Sequence, residues 1–483
     1  MGARLEGNEN EIIIMIDGKE INAIEGESIL QVAKKVGINI PTLCYNDALE
    51  SFGACRMCSV EITDNRGRKK IVTSCNYPVV NGLVVETKSE KVFKTRQMLL
   101  ELLLARCPNA KKIQDLARKY GIEKPSLWIV DPEEDCILCG LCTRVCDEKV
   151  GVSAINFANR GVKREVTTPY HTISDDCVGC GACAMVCPTD SSKVRKTTYP
   201  MLEEDIREAE KQFLNGTRDE FLGVYSEILA AKSPISGQDG GMATTLLLSG
   251  FEKGLFDSAI VVKRTVGYKA EAFIVESAEE ILSAKGTKYS RVKMMSKIGE
   301  LVEEGKSKIA FVGTPCEIRT GRKIQQQLLS KYPDLKIIIV GLFCFEAFEY
   351  KKLKEATQQL LGVDLDKAEE TRINKGNFIV NVDGTEFSAK VKDFHGAIQG
   401  GCLYCNDFTG RIADVSVGSV GSREGYSTVI VRSDVGKNLF LNVDCTTEGV
   451  NIEDVVKLAK LKKKRANEKF SPIIEGAKNY KEM

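Results

Sequence analysis

The chain has 483 residues, and its 68 basic and 67 acidic side chains leave a formal net charge of +1. This balance gives no reason to expect a nucleic acid or an anionic membrane surface as a partner. The N-terminal stretch is polar, and the longest apolar runs fall far short of the roughly 20 residues of a membrane span, so we expect a cytoplasmic protein with no membrane span. The two histidines, His171 and His395, are too far apart in sequence to form an HExxH zinc motif.

Cysteine is the most informative residue type in this sequence. Of 18 cysteines, only Cys107 and Cys445 stand outside four groups of four. Thiolates are soft donors that hold iron–sulfur clusters, so the sequence predicts a chain that carries single electrons. A disulfide scaffold is the alternative, but such domains are usually short and secreted.

Residues 1–90 are predicted to form the first domain. Strands over Ile12–Ile16 and Glu20–Ile24 flank a turn at Asp17-Gly18, and Ser28 can cap a helix that ends at Gly37. Strand, turn, strand and helix before a cysteine loop is the order of a β-grasp ferredoxin. The loop supplies the first cysteine group, which is Cys44, Cys55, Cys58 and Cys75.

The spacing C-x10-C-x2-C-x16-C of this group differs from the plant-type ferredoxin spacing. The words IPTLCYND, GACRMCSVE and TSCNYPV resemble the 2Fe-2S domain of the largest peripheral subunit of complex I and of iron-only hydrogenases. The resemblance implies one 2Fe-2S cluster. A four-cysteine zinc site is the alternative, although zinc cysteines usually come as two CxxC pairs.

Residues 91–125 are predicted to be a helical linker, with a row of leucines between Leu99 and Leu104. The complex I relatives hold a further cluster after this stretch with one histidine and three cysteines. Here Cys107 stands alone, so that site is absent and Cys107 is predicted to be a buried small side chain.

Residues 126–200 are predicted to form a bacterial-type ferredoxin domain with two 4Fe-4S clusters. Two C-x2-C-x2-C-x3-C motifs supply eight thiols, which are Cys136, Cys139, Cys142, Cys146, Cys177, Cys180, Cys183 and Cys187. In such proteins the fourth cysteine of each motif binds the other cluster. We therefore expect Cys187 to complete the cluster of the first motif and Cys146 that of the second.

Residues 219–470 are predicted to form an α/β domain, which makes the whole chain an α+β multidomain protein. Buried strands are expected over Ser258–Val262, Lys308–Val312 and Lys336–Val340, with helices such as Ala243–Lys253 and Ser296–Glu304 between them. Glycines before a helix let backbone amides approach a phosphate, but the GxGxxG motif of a Rossmann NAD site is absent.

The words SPISGQDGGMATTLL, KGTKYS, FVGTPCEI, GLFCFEAF, GCLYCNDFTGRIADVSVG and STVIVRSDVG resemble, in order, the beta subunit of coenzyme F420 hydrogenases and dehydrogenases. Coenzyme F420 is a deazaflavin that carries hydride. The resemblance implies FAD together with a third 4Fe-4S cluster, held by the fourth cysteine group, Cys316, Cys344, Cys402 and Cys405. It also implies that the flavin is lined by Ser236, Gln238, Asp239, Gly240, Gly241, Lys288 and Thr314. A structural CxxC with two unrelated cysteines is the alternative to that cluster.

A flavin accepts electrons in pairs and releases them singly, so its place is between a hydride carrier and the clusters. The sequence thus predicts a beta-type subunit that exchanges hydride with coenzyme F420 at FAD and passes electrons to or from a partner such as formate dehydrogenase, hydrogenase or ferredoxin. Two alternatives stay open, a wiring subunit without a substrate site and a module that uses NAD(P)H. No catalytic acid–base residue is predicted. The basic stretch Lys457–Arg465 is expected to be a solvated surface helix, with a basic docking helix as the alternative.

Overall fold

A computed structural model describes residues 11–64, 66–199, 201–235, 237–441 and 443–481. The first module is a five-stranded sheet in the order β2-β1-β5-β3-β4, covered by one helix. Ile12, Ile14 and Ile16 alternate into its core, and the Ser28 side chain caps the helix through the amide of Gln31. The elements are β1 (Glu11–Ile16), β2 (Lys19–Ile24), α1 (Ile29–Lys35), β3 (Ser59–Thr63), β4 (Lys69–Thr73) and β5 (Val84–Glu86).

The predicted helical linker consists of two helices, α2 (Glu90–Arg106) and α3 (Lys111–Lys119). They separate at Cys107, which ends α2 and is fully buried, as expected for a small apolar side chain. After α3 the chain runs without regular structure through Trp128, the single tryptophan, whose side chain is 87% exposed.

The ferredoxin-like module repeats one local feature. Gly140 and Gly181, each directly after the second cysteine of a motif, adopt left-handed backbone conformations with φ of 74° and 80° and start short helices. Glycine takes this conformation without a steric cost. The elements are α4 (Leu141–Arg144), β6 (Asn156–Ala158), β7 (Glu165–Thr167), α5 (Ala182–Met185) and α6 (Ser192–Thr197), with a π-helical turn over Val145–Val150 that carries Cys146.

The largest module is built on an eight-stranded sheet in the order β12-β11-β13-β14-β18-β19-β10-β20. β10, β11, β13, β14 and β18 run parallel to one another, while β12, β19 and β20 run antiparallel to them. The strands are β10 (Glu227–Lys232), β11 (Ser258–Arg264), β12 (Ala270–Val275), β13 (Lys308–Gly313), β14 (Lys336–Leu342), β18 (Val415–Gly418), β19 (Ser427–Val431) and β20 (Thr446–Glu448).

Helices cover both faces of this sheet, as the alternation of strands and helices predicted. The helices of this part are α7 (Glu203–Phe213), α8 (Met242–Glu252), α9 (Ala278–Leu282), α10 (Ser296–Glu303), α11 (Pro315–Leu329), α12 (Tyr350–Leu361) and α13 (Asp434–Phe440). The remaining strands form a hairpin, β8 (Thr217–Asp219) and β9 (Gly223–Tyr225), and a small sheet of β15 (Glu370–Asn374), β16 (Asn377–Val382) and β17 (Thr385–Lys390).

The last described helix, α14 (Ile452–Lys481), contacts every module. The Asn46 amide donates to the Ile473 carbonyl at 3.0 Å, and the Tyr480 hydroxyl donates to the Val186 carbonyl at 2.9 Å. A buried stripe faces the protein, formed by Val455, Ala459, Lys462, Ala466, Phe470, Ile473, Gly476, Ala477 and Tyr480. The expectation of a solvated helix over Lys457–Arg465 holds for one face only, because Lys457, Lys460 and Lys464 are exposed whereas Ala459 and Lys462 belong to the buried stripe.

The boundaries predicted for the four domains stay predictions, and α14 continues past the predicted end at residue 470. Among the described residues, no helix is both long and apolar enough to cross a membrane.

Candidate iron–sulfur and flavin sites

The first cysteine group lies at the edge of the five-stranded sheet, and all four thiols are buried. The amide of Cys55 points at the Cys44 sulfur at 3.4 Å. A hydrogen bond from the Cys55 thiol, helped by backbone amides and by the Arg144 charge, lowers the pKa of Cys44 to about 6. Gly53 has φ of +68° in the same loop. The loop therefore turns an amide toward the Cys44 sulfur and favours the thiolate of that residue, whereas hydrogen bonding to the neighbouring cysteines and burial raise the pKa of Cys55 and of Cys58.

In the ferredoxin-like module, one cavity is lined jointly by Cys146 from the first motif and by Cys177, Cys180 and Cys183 from the second. The amide of Ala154 points at the Cys146 sulfur at 3.3 Å. Burial raises the pKa of Cys146 to about 11. The chain thus brings the last cysteine of one motif to the first three of the other.

Cys187, the last cysteine of the second motif, likewise lies near the first three cysteines of the first motif. Burial raises the pKa of Cys136, Cys139 and Cys142, and the nearby Cys187 thiol adds to the increase in each. The amide of Ser191 donates to the Cys187 sulfur at 3.3 Å.

Arg144 joins the ferredoxin-like module to the first cysteine group. Its guanidinium donates to the carbonyl of Cys44 at 2.7 Å, while Arg144 itself lies between the third and fourth cysteines of the first motif. The two groups of thiols therefore belong to directly contacting loops.

The fourth cysteine group gathers at the carboxyl edge of the eight-stranded sheet. Cys316 follows β13 and Cys344 follows β14, two neighbouring parallel strands, so both come to the same edge. Cys402 lies beside Cys344, since its sulfur accepts a hydrogen bond at 3.3 Å from the amide of Ala347, three residues after Cys344. Cys405 follows at the end of a short 3-10 helix. The thiols of Cys402 and Cys405 both raise the pKa of Cys316 beyond the larger effect of burial. Two cysteines that are isolated in sequence are thus brought together with the CxxC pair.

Lys462 on α14 is a member of this site that sequence reasoning missed. It is 1% exposed, and its ammonium donates to the carbonyl of Cys344. Burial by itself lowers the pKa of Lys462, but the thiols of Cys405, Cys344 and Cys402 outweigh it and raise the pKa. The only sequence signal is the helical spacing of Val455, Ala459 and Lys462, which puts the lysine on the apolar stripe.

The chemistry of these groups fits iron–sulfur clusters. Each of the 18 cysteines is a free thiol. In the described ranges, no three His, Cys, Asp or Glu side chains are arranged to hold a single metal ion, whereas a cluster is a multi-iron group held by four thiolates. Burial raises the pKa of most of these thiols, as with Cys183 at about 12. Bound iron would supply the positive charge that stabilises them as thiolates.

The residues predicted to line a flavin lie around the same sheet edge. The loop after β10 leads through Gly240 and Gly241 into α8, whose N-terminus has no side-chain cap. Gln238 bridges this loop to its surroundings, because its amide nitrogen donates to the Thr371 carbonyl at 2.7 Å and its oxygen accepts from the Thr287 amide at 2.9 Å. Asp239 is exposed. Ser236 lies outside the described residues.

The two glycines have a packing role that the sequence did not reveal. A Cβ atom at Gly240 would lie 2.4 Å from the Ala231 carbonyl oxygen and 2.5 Å from the Ser427 amide nitrogen. Gly241 has φ of +71°, and a Cβ there would lie 2.3 Å from the Ile235 carbonyl oxygen. A side chain would therefore collide with the protein's own backbone, whether or not a ligand is bound.

Lys288 and Thr314 differ in their availability to a ligand. Burial, with a smaller contribution from the Arg264 charge, lowers the pKa of Lys288 to about 8, and its amine donates to the Ala284 carbonyl at 2.7 Å. Thr314 caps α11 and its hydroxyl lies 3.2 Å from the Cys316 sulfur. Thr314 thus contacts the fourth cysteine group, while Lys288 offers a half-buried amine beside the Gly240 loop.

One short segment, 287–291, connects these parts. At its start the Thr287 amide meets Gln238, and at its centre the Tyr289 carbonyl accepts from the Phe348 amide at 2.8 Å, next to the fourth cysteine group. At its end the Arg291 guanidinium donates to the Asp175 carbonyl at 2.7 Å, beside the second ferredoxin motif. The predicted flavin loop, the fourth cysteine group and the ferredoxin-like module therefore all contact one backbone segment.

Comparisons with known proteins agree with this layout. Residues 229–298 and 306–454 match the families described as coenzyme F420 hydrogenase/dehydrogenase, beta subunit N-term and C terminus. Residues 9–90 match a 2Fe-2S iron-sulfur cluster binding domain, and residues 135–191 match a 4Fe-4S dicluster domain. The protein is thus a mixed α/β multidomain chain with ferredoxin-type iron–sulfur domains.

Individual relatives match about half of this chain. The chain is 35% identical over 245 residues to a coenzyme F420 hydrogenase subunit beta of Methanococcus voltae, covering 48% of this chain and 87% of the relative. It is 38% identical over 256 residues to a coenzyme F420-dependent sulfite reductase of Methanocaldococcus jannaschii, covering 50% of this chain and only 40% of that enzyme's length. In a solved F420-reducing nickel–iron hydrogenase complex from Methanosarcina barkeri, one chain is 29% identical with a TM-score of 0.51, covering 53% of this chain and 94% of that one.

Proposed function

Because the chain belongs to the coenzyme F420 hydrogenase/dehydrogenase beta subunit family, we propose that it exchanges hydride with coenzyme F420 at a bound FAD and relays the electrons singly through its cysteine groups. The observation that carries the proposal is the 287–291 segment, which contacts the Gln238 loop, the neighbourhood of Cys344 and the second ferredoxin motif. A flavin and a cluster must be neighbours for pairs of electrons to become single ones.

The proposed FAD site is the loop from Gln238 to Gly241 together with Lys288. The uncapped N-terminus of α8 offers backbone amides for a pyrophosphate, and the half-buried Lys288 amine offers a charge. Gln238 fixes the loop rather than the ligand, since both ends of its amide are used within the protein. When bound, FAD would supply the conversion between hydride and single electrons.

The contacts support one order for the relay. The Thr320 hydroxyl on α11, the helix that carries Cys316, lies 3.3 Å from the Cys177 carbonyl. Cys177 shares its cavity with Cys146, and Arg144 links the first motif to Cys44. We therefore place the 4Fe-4S of the fourth cysteine group next to the flavin, the two ferredoxin clusters after it, and a 2Fe-2S of β-grasp type at the far end. A catalytic redox subunit would be the partner, as relatives of this family occur in hydrogenase complexes.

Reduction by coenzyme F420 tests this function directly. The protein, purified without oxygen, should bleach in both its flavin and its cluster absorption when reduced coenzyme F420 is added, and NADH or NADPH should leave it oxidised. In Cys405→Ser the flavin should still bleach while the clusters stay oxidised, although dithionite reduces those that remain. A control, Cys445→Ser, changes a cysteine outside the four groups and should behave as the unmodified protein. Bleaching by a nicotinamide instead, or cluster reduction that persists in Cys405→Ser, would contradict the proposal.

A further inference from the structure

Lys462 is a buried cation without a carboxylate of its own. Its residue is 1% exposed, and none of the ion pairs within 4.0 Å among the described residues includes it. The nearby carboxylate of Asp407 is already occupied, since it accepts from the amides of Gly410 and Arg411 and lies 4.0 Å from the Arg319 guanidinium. Burying an ammonium is costly unless an anionic group compensates for it.

The groups around Lys462 indicate which anion that is. Its ammonium donates to the Cys344 carbonyl and lies close enough to Cys402 and Cys405 for their thiols to act on it. One turn further along α14, the Arg465 guanidinium donates to the carbonyls of Phe345 and Cys402 at 2.9 and 3.3 Å. Arg465 is neutralised by Glu346 at 2.7 Å. Lys462 has the largest cationic effect on the thiols of Cys344, Cys402 and Cys405, while Arg291 acts on Cys316 and less strongly on Cys402.

We propose that α14 inserts Lys462 as a fixed positive charge beside the cluster of the fourth cysteine group, and so makes this cluster easier to reduce. The inference rests on the proposed function, which places a 4Fe-4S cluster there. Reduction adds one electron and therefore one negative charge to the cluster, and a neighbouring cation stabilises the reduced state more than the oxidised one. The step adds one electron to the cluster, and Lys462 acts on it only as a neighbouring positive charge.

Apart from its first three residues, this helix lies beyond the region that the family model matches, which ends at residue 454. The charge at Lys462 is thus contributed by a part of the chain that the family comparison does not cover. It is a positioning residue and not a ligand, because it touches the cysteine group through the Cys344 carbonyl.

Substitution of Lys462 by glutamine isolates the charge. Lys462→Gln removes the cation and keeps an uncharged N–H donor on a slightly shorter side chain. At fixed potential, its reduced-to-oxidised ratio at this cluster should fall at least about tenfold, which is a downward shift of about 59 mV for a one-electron couple. The measurement is a potentiometric titration of the whole protein with dithionite, followed by electron paramagnetic resonance. The relevant signal is the one that Cys405→Ser removes.

Two control variants separate the effect of the charge from other effects of substitution. Lys462→Arg keeps the charge and should titrate close to the unmodified protein, and Lys464→Met changes a neighbour on α14 whose side chain is 75% exposed and should shift nothing. Loss of the cluster in Lys462→Gln with retention in Lys462→Arg also supports the role of the charge. An intact cluster with an unchanged potential in Lys462→Gln overturns the inference, as does loss of the cluster in Lys462→Arg. If Cys405→Ser removes no signal, the cluster assignment fails instead.

Discussion

At the scale of single residues, Lys288 gives the proposed flavin site a pH dependence. Its pKa of about 8 means that the amine is charged below that pH and neutral above it. FAD affinity should therefore fall as the pH rises through 8, because the amine loses the charge that would face an anionic pyrophosphate. Fluorescence titration of the flavin-free protein with FAD on either side of pH 8 measures this change.

Two variants of neighbouring lysines complete that test. Lys288→Met should bind FAD more weakly and lose the pH response, whereas Lys285→Met, at an exposed neighbour, should keep both. A pH response that survives unchanged in Lys288→Met would place the flavin elsewhere.

The crossed arrangement of the ferredoxin motifs leads to a second prediction. Cys187→Ser should remove the cluster served by Cys136, Cys139 and Cys142, lowering the iron content by about four atoms per chain. Resolved paramagnetic signals should retain the cluster of Cys177, Cys180 and Cys183. Cys107→Ser, at a buried cysteine outside the groups, serves as the control and should keep all its iron. Loss of the Cys177 cluster in Cys187→Ser would instead mean uncrossed binding.

The sequence alone does not decide why residues 240 and 241 are glycines. From the sequence, glycines before a helix indicated room for a phosphate. The backbone atoms of Ala231, Ser427 and Ile235 crowd both positions, which only the packed sheet can reveal. A bulky residue at Gly240 would thus disturb the fold directly, and loss of flavin in such a variant would not identify a ligand contact.

At the scale of elements, Gly476 allows α14 to approach the first module. A Cβ atom there would lie 2.2 Å from the Asn46 side-chain oxygen. Asn46 is fully buried and cannot easily move, since its amide bonds both the Ile473 carbonyl and the Ala48 amide. Gly476→Ala should therefore weaken this contact by about 1–3 kcal/mol, the usual cost of overpacking.

Hydrogen exchange at the Ala48 amide measures that loss. Its exchange should become faster by a factor of roughly 5–150, the equivalent of 1–3 kcal/mol. Gly449→Ala adds a Cβ into open space just before α14 and should leave the rate unchanged. Equal rates in Gly476→Ala and in the unmodified protein would mean that α14 does not press on Asn46.

The strands and helices of the C-terminal sheet were predictable because runs such as Ile337–Val340 are apolar and are separated by helical stretches. α14 was not, because its many charged residues suggested a solvated surface. Its buried stripe has helical spacing, but it contains Lys462, and a charged residue on the apolar face hides the pattern.

At the scale of the whole molecule, the cysteine groups predict the iron content. One 2Fe-2S and three 4Fe-4S clusters amount to about fourteen iron atoms per chain. Iron and acid-labile sulfide analysis of protein purified without oxygen checks this number. A count near eighteen would mean that a further cluster forms around Cys107, and zinc in place of iron would contradict an electron relay.

The comparisons confirm the predicted family and the presence of both kinds of iron–sulfur domain. These features were predictable because cysteine spacings and short sequence motifs can be read directly from the sequence. How the modules touch was not predictable. Arg144, Arg291 and the 287–291 segment make their contacts over long separations in sequence, and no local pattern encodes those partners.

The reach of α14 has a consequence for how the protein is made. The helix follows every other described element, so it is synthesised after the modules that it contacts. Its bond between Asn46 and Ile473 joins residues 427 positions apart, a kind of contact that forms slowly. During translation the loops that carry Cys44, Cys187 and Cys344 are therefore made before the helix that packs beside them, so we expect α14 to dock after these loops have folded.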